Sequence, residues 1–285
     1  MSKIITLIFT CLMVINCTSS TDIISLDTPI YDPFGVVYSD IDPLTIDGYK
    51  TVIVEPNFFD EKDIEVLHDK GIKVIAYLSL GEVNPSRKYF EDFKEVGFKG
   101  ENGNHGSFYI DLTSDVIKDS FIEQIIPERL AKGFDGLFLD TIDAVAPYTD
   151  RSEMEADMVE LIKRIKISFS DKLLIQNAGL FLLDKTHEYI DGIGIEDIAS
   201  GYNFDTNEYK IKSEEAFQER LVLVDETYQR YKIPFLIIDF ANDDSSKVIV
   251  KSRLENTGHA FFISNIEFNG LPSLNYTYQK MKKGA

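Results

Sequence analysis

The chain has 285 residues, 44% of them hydrophobic and 27% charged, enough for one large packed domain and incompatible with wholesale disorder. Its 48 acidic against 29 basic residues give a formal charge of −19 at pH 7, a field that repels nucleic acid and anionic membrane surfaces and draws cationic partners. Cys11 and Cys17 are the only cysteines, both near the N-terminus, so the body of the protein has no disulfide or thiol chemistry of its own.

The first twenty residues, MSKIITLIFTCLMVINCTSS, carry Lys3, an apolar stretch from Ile4 to Ile15 and then small polar residues. The stretch is too short to span a bilayer, and the pattern predicts a secretory signal peptide over residues 1–16. VINC, ending at Cys17, resembles the lipobox of bacterial lipoproteins, in which the cysteine becomes the acylated N-terminus. Cys17 is thus the expected lipidation site, residues 17–29 a tether and residues 30–285 one domain. The expected location is the cell envelope or the medium, with a membrane touched only through this lipid.

Along the domain, short β-rich runs alternate with longer stretches of helical spacing. The runs are FGVVYS (34–39), TVIVE (51–55), KVIAYLSL (73–80), GLFLD (136–140), LLIQN (173–177), GIGIE (192–196), PFLIIDF (234–240) and HAFFIS (259–264). Most are continuously apolar, as parallel strands buried on both faces require. Ser107 to Asp111 reads as an extra short strand in the long connection after the third run. Pro127 predicts a kink or break within 116–132. Over 151–168, Met154, Met158, Leu161, Ile162 and Ile165 share one helical face; over 213–231, Phe217, Leu221, Val224 and Tyr228 do, with Ser213 as N-cap. Glycine closes the expected helices at Gly71, Gly133 and Gly258.

Eight strands alternating with helices predict a single (β/α)8 barrel, with a doubly wound open sheet as the alternative. No GxGxxG or GxxxxGK[ST] follows any strand, so a nucleotide-binding fold has no support. In a barrel the site is built at the C-terminal ends of the strands. Polar residues gather there: Glu55, Glu82, Asp140, Gln176 with Asn177, Glu196 with Asp197, and Asp239. Helix capping accounts for single acids such as Asp143 or Asp197, but acids at five strand ends define a cleft. His68, His105, His187 and His259 show no paired spacing, HExxH is absent and DFANDD (239–244) lacks the calcium-loop pattern, so neither a metal nor any other cofactor is expected. There is no GxSxG either. Paired carboxylates remain, one protonated and one ionised, as hydrolysis of a glycosidic bond needs.

VIVEPNFF (52–59), KVIAYLSLGEVNPSR (73–87), KGFDGLFLDTIDAV (132–145), LLIQNAG (173–179), GIGIEDI (192–198) and PFLIIDFAN (234–242) together resemble, in order, glycoside hydrolase family 114, the endo-α-1,4-polygalactosaminidases. The resemblance implies a (β/α)8 barrel that cleaves an α-linked polysaccharide. It carries the family's catalytic pair onto Asp140, as nucleophile at the end of the fourth strand, and Glu196, as acid/base at the end of the sixth. Tyr38, Glu55, Glu82, Arg87, Asp143, Asn177 and Asp239 are the expected substrate-binding residues. The chain has no tryptophan, so stacking on sugar rings falls to tyrosine and phenylalanine, with Tyr38, Phe58 and Tyr202 near strand ends. The acids of the cleft would suit a cationic amino sugar such as galactosamine. Two other readings stand beside this one: a carbohydrate-binding envelope lipoprotein whose barrel no longer catalyses, and a carboxylate–metal hydrolase. A binder has no need of both Asp140 and Glu196, and chelation would inactivate a metal enzyme.

Overall fold

The computed structural model describes residues 31–272 and 274; the expected signal peptide and tether, with Cys17, lie outside them. Eight parallel strands form the (β/α)8 barrel: β1 (Phe34–Val37), β2 (Thr51–Val54), β3 (Lys73–Ser79), β4 (Gly136–Asp140), β5 (Leu173–Asn177), β6 (Gly192–Glu196), β7 (Phe235–Phe240) and β8 (Ala260–Ser264). Each pairs with the next in sequence. Across the seam the rings of Phe34 in β1 and Phe262 in β8 lie 6.1 Å apart, and Tyr38 N–H donates to Phe268 O at 2.8 Å just beyond. The apolar runs are strands because both faces are covered: β1, β2 and most of β4 are buried throughout.

The helices are α1 (Glu61–Asp69), α2 (Phe90–Val96), α3 (Asp115–Ser120), α4 (Ile126–Leu130), α5 (Glu155–Ser168), α6 (Leu183–Thr186), α7 (Glu214–Tyr231) and α8 (Asp244–Leu254). The stripe on α5 is buried at Met158, Leu161, Ile162 and Ile165, and Ser213 caps α7 by accepting from Ala216 N–H at 3.2 Å. Gly71 (φ 73°) and Gly133 (φ 103°) make the left-handed exits expected of them. Pro127 neither breaks nor sharply ends its helix. A π turn over Phe121–Ile125 joins α3 to α4, and Ile126 N–H donates to Phe121 O, so the ladder widens one residue before the proline ring needs space.

Departures from a regular barrel lie in the connections. Only a 3-10 turn, Pro43–Thr45, follows β1, capped by Asp42. The connection after β3 holds a three-stranded antiparallel flap of Glu82–Val83, Ser107–Ile110 and Phe98–Asn102. The connection after β6 holds a hairpin, Ser200–Asn203 with Glu208–Ile211. Both rise at the C-terminal mouth, and His105 of the flap meets Phe204 of the hairpin with ring centroids 5.1 Å apart.

Candidate active site

Asp140, Asn177 and Glu196 are the last residues of β4, β5 and β6, three neighbouring strands. Side chains alternate along a strand and cross-strand partners point the same way. Asp140 therefore stands above Phe138, Asn177 above Ile175 and Glu196 above Gly194, all on the inner face, with Asn177 paired to Gly194. Gly194 makes the arrangement possible. A Cβ there would stand 2.8 Å from both Asn177 Oδ1 and Phe138 Cε2. In the space left, Asn177 Nδ2 donates to Asp140 Oδ1 at 2.8 Å and to Glu196 Oε1 at 3.0 Å. Tyr77, opposite Phe138 on β3, donates its hydroxyl to Asp140 Oδ2 at 2.8 Å. Gly194→Ala is expected to lower kcat/KM by about 10²-fold through displacement of Asn177, at a stability cost of about 1–3 kcal/mol. Wild-type kinetics in that variant would show that the amide does not depend on the missing side chain.

Each of the three residues is followed by one in the left-handed region: Thr141 (φ 59°), Ala178 (φ 54°) and Asp197 (φ 61°). Such backbone costs about 1–3 kcal/mol per residue and persists where the surroundings impose it. Thr141 is held by its hydroxyl, which accepts from Gly81 N–H at 2.7 Å and donates to Asp140 O at 2.7 Å. The chain thus turns away directly beyond each polar side chain and leaves all three facing the opening.

Burial pushes the Glu196 carboxyl up to about 8, the charge of Asp140 adds to the rise, and the Asn177 hydrogen bond opposes it. Glu196 therefore holds a proton at neutral pH. Asp143 is raised by burial and then by Asp140; Asp197 is raised to about 6 by burial, with Lys212 opposing. Burial, followed by the charge of Asp140, keeps the Tyr38 and Tyr77 hydroxyls protonated well above their ordinary range.

These groups form the floor of a cleft of about 970 Å³. Tyr38, Glu55, Glu82, Arg87, Asp143 and Asn177 all line it. Glu55 accepts a bidentate pair from Arg87 at 2.6 and 2.8 Å. Glu82 accepts from Ser107 Oγ at 2.5 Å and Asn102 Nδ2 at 3.1 Å, and so is held by the flap. Asp239 does not join them. Ile238 pairs with Glu196 and faces inward, so the next residue faces out of the barrel. There Asp239 is fully buried and accepts from the Ala199 and Ser200 amides at 2.8 Å each and from Ser200 Oγ at 2.5 Å, anchoring the loop beyond β6. It positions that loop, and its burial keeps both oxygens out of a sugar's reach. Gln176 likewise faces outward and holds the carbonyls of Ala178 and Gly179.

Of the expected aromatics Tyr38 lines the cleft; Phe58 and Tyr202 do not, and Phe204 does. Sequence reading also missed Tyr77 and Arg220. Tyr77 lies two residues before Ser79 in an apolar run, where strand alternation alone would have pointed it inward. Arg220 lies on α7, read only for its apolar stripe, and donates to Glu196 O at 2.7 Å and Asp197 O at 3.2 Å, which fixes the end of β6. Among the described residues, no group of three or more His, Cys, Asp or Glu side chains is arranged to hold a metal ion.

A barrel with a protonated carboxyl and a second acid joined by one amide, at the floor of an open cleft, has the parts of a glycoside hydrolase site. The model of glycoside hydrolase family GH114 matches residues 32–274, and the chain belongs to that family. An uncharacterized protein of Deinococcus radiodurans is 26% identical over 219 residues, covering 72% of this chain and 67% of its own. The glycoside hydrolase domain of PelA from Pseudomonas aeruginosa superposes with a TM-score of 0.75 at 19% identity, covering 85% of this chain and 97% of that one. Ega3 of Aspergillus fumigatus, solved in complex with galactosamine, superposes at 0.64 with 15% identity, covering 83% and 92%. At these identities the likeness to the two structures carries the barrel fold.

Proposed function

We propose that this glycosidase cleaves an α-linked, galactosamine-containing polysaccharide with retention of configuration. Asp140 attacks the anomeric carbon, and Glu196 first protonates the leaving oxygen and then takes a proton from the water that hydrolyses the glycosyl-enzyme. The observation that carries the mechanism is the single Asn177 nitrogen within hydrogen-bond reach of both carboxylates. That closeness fits the about 5–5.5 Å spacing of retaining enzymes better than the about 6.5–9.5 Å of inverting ones. The proton held by Glu196 at neutral pH supports its role as acid. Tyr77 and Asn177 fix the orientation of Asp140. Tyr38, Glu55, Glu82, Arg87, Asp143 and Asn177 are the proposed substrate contacts, and Asp239 is left out of that set.

The substrate reading rests on charge. Seven acidic side chains line the cleft, Glu196 protonated among them, against two arginines and one histidine. A polymer bearing free ammonium groups would be drawn in, and an N-acetylated one would not. Reducing-end release should therefore occur from deacetylated α-1,4-galactosamine polymer, weaken as ionic strength rises, and be absent from the N-acetylated polymer. Equal cleavage of both forms would end the charge argument; release from neither would end the substrate reading. With no ligand cluster among the described residues, activity should survive EDTA.

The N-terminal pattern adds a location: an exported, lipid-anchored or secreted enzyme. Full-length protein made in a bacterial host should partition into detergent, and Cys17→Ser should move it to the aqueous phase. Unchanged partitioning would remove the anchor.

A further inference from the structure

Behind the cleft, on the far side of Arg87, is a small cavity of about 60 Å³ whose charge is opposite to that of the rest of the molecule. Arg87, Lys88, Arg129 and Lys132 converge on it and Glu128 is the one carboxylate in its wall. In a chain of net charge −19, four cations about one void call for a counter-charge.

Carboxylates offset only part of this charge: Glu55 pairs with Arg87 and Glu128 with Lys88, while Arg129 and Lys132 have no carboxylate partner among the described residues. Lys88 reaches Glu128 at 2.6 Å, but both side chains are well exposed and such a pair contributes little. Lys132 Nζ donates to the carbonyls of Pro56 and Phe59 at 2.7 and 2.9 Å, which leaves one of its three protons uncommitted. Arg129 is only 8% exposed; one Nη donates to Ile125 O at 3.0 Å, and its Nε is buried without a hydrogen-bond partner. Its second terminal nitrogen takes part in no other hydrogen bond among the described residues, so the guanidinium keeps donors to offer. Arg87 spends two N–H groups on Glu55 and keeps others. Burial, then the charge of Lys88, lowers the pKa of Lys132, the strain expected of cations gathered without an anion.

We propose that this cavity is a binding site for a small tetrahedral oxyanion, of phosphate or sulfate size. The volume admits a few waters or one such ion and excludes a sugar ring. Arg129 supplies a buried guanidinium and Lys132 a half-buried ammonium from the helix side, Arg87 faces it from the cleft side and Lys88 from the rim. The site shares only Arg87 with the cleft and is independent of Asp140 and Glu196.

The test uses the full chain and inorganic phosphate and sulfate, titrated by calorimetry and thermal melting at ionic strength held constant with sodium chloride. A saturable heat and a rise in melting temperature absent with chloride are expected. Arg129→Met should abolish both. Lys88→Gln, an exposed change that spares the fold and the basal glycosidase activity, should weaken affinity roughly tenfold, the loss of one charge-assisted hydrogen bond. If Arg129→Met does not fold, Lys88→Gln decides. No saturable binding of either ion, or binding unchanged in Lys88→Gln, would overturn the proposal.

Discussion

Asp140→Asn should lower kcat/KM by roughly 10³-fold or more while the melting temperature stays within a few degrees of wild type. The fold tolerates the change because an amide has nearly the shape of a carboxylate. Its carbonyl still accepts from Asn177, and the Tyr77 hydroxyl, which now donates to Asp140 Oδ2, turns to accept instead. Activity does not tolerate it, because an amide forms no glycosyl ester. Asp140→Ala opens space where the nucleophile stood. A small anion such as azide should then restore part of the activity and give a product of opposite anomeric form. Full activity in Asp140→Asn, in a preparation free of wild-type enzyme, would show that another group carries the attack.

Glu196→Gln should cost about 10²–10⁴-fold with poor leaving groups and far less with good ones, because only the former need the proton. Wild-type activity should fall as pH rises through about 8, and the variant's residual activity should lack that alkaline limb. Wild-type stability should fall with rising pH as well. The folded-state pKa of about 8 lies above the ordinary 4.5, so the native state binds the proton more tightly. Wild-type stability accordingly falls as pH climbs from about 4.5 to about 8. Glutamine, uncharged at every pH, escapes that loss. At pH 9 the variant should melt several degrees above wild type, at about 2–4 °C per kcal/mol for a domain of this size, and at pH 5 the two should nearly coincide. A melting difference independent of pH would mean that Glu196 is not held protonated by its surroundings.

The barrel is legible in the sequence because its strands are buried on both faces and read as apolar runs, and because acids gather at the C-terminal ends of those runs. Asp140, Asn177 and Glu196 stand out for that reason. Asp239 misleads for the same reason. It is also an acid near a strand end, but one step out of the period of two that points Glu196 and Ile238 inward, and its partners are backbone amides 40 residues away in sequence. Tyr77 and Arg220 are hidden because apolar patterning treats an aromatic in a strand as core and an arginine on a helix as surface; their hydroxyl and guanidinium find partners only in three dimensions. The flap and the hairpin carry weak strand signals of their own, and Ser107 reads as a strand start with no sign that its hydroxyl holds Glu82. Pro127 reads as a kink or break because the π turn that accommodates it has no marker in local propensity.

The most direct test of the central claim is the anomeric configuration of the first product, followed by proton NMR in the minutes before mutarotation, as purified enzyme cleaves deacetylated α-1,4-galactosamine polymer. Two displacements, by Asp140 and then by water, predict that the α-anomer appears first and the β-anomer grows in only at the rate of spontaneous equilibration. A β-anomer formed first would mean a single displacement by water, with Asp140 a base and not a nucleophile, and would contradict the account.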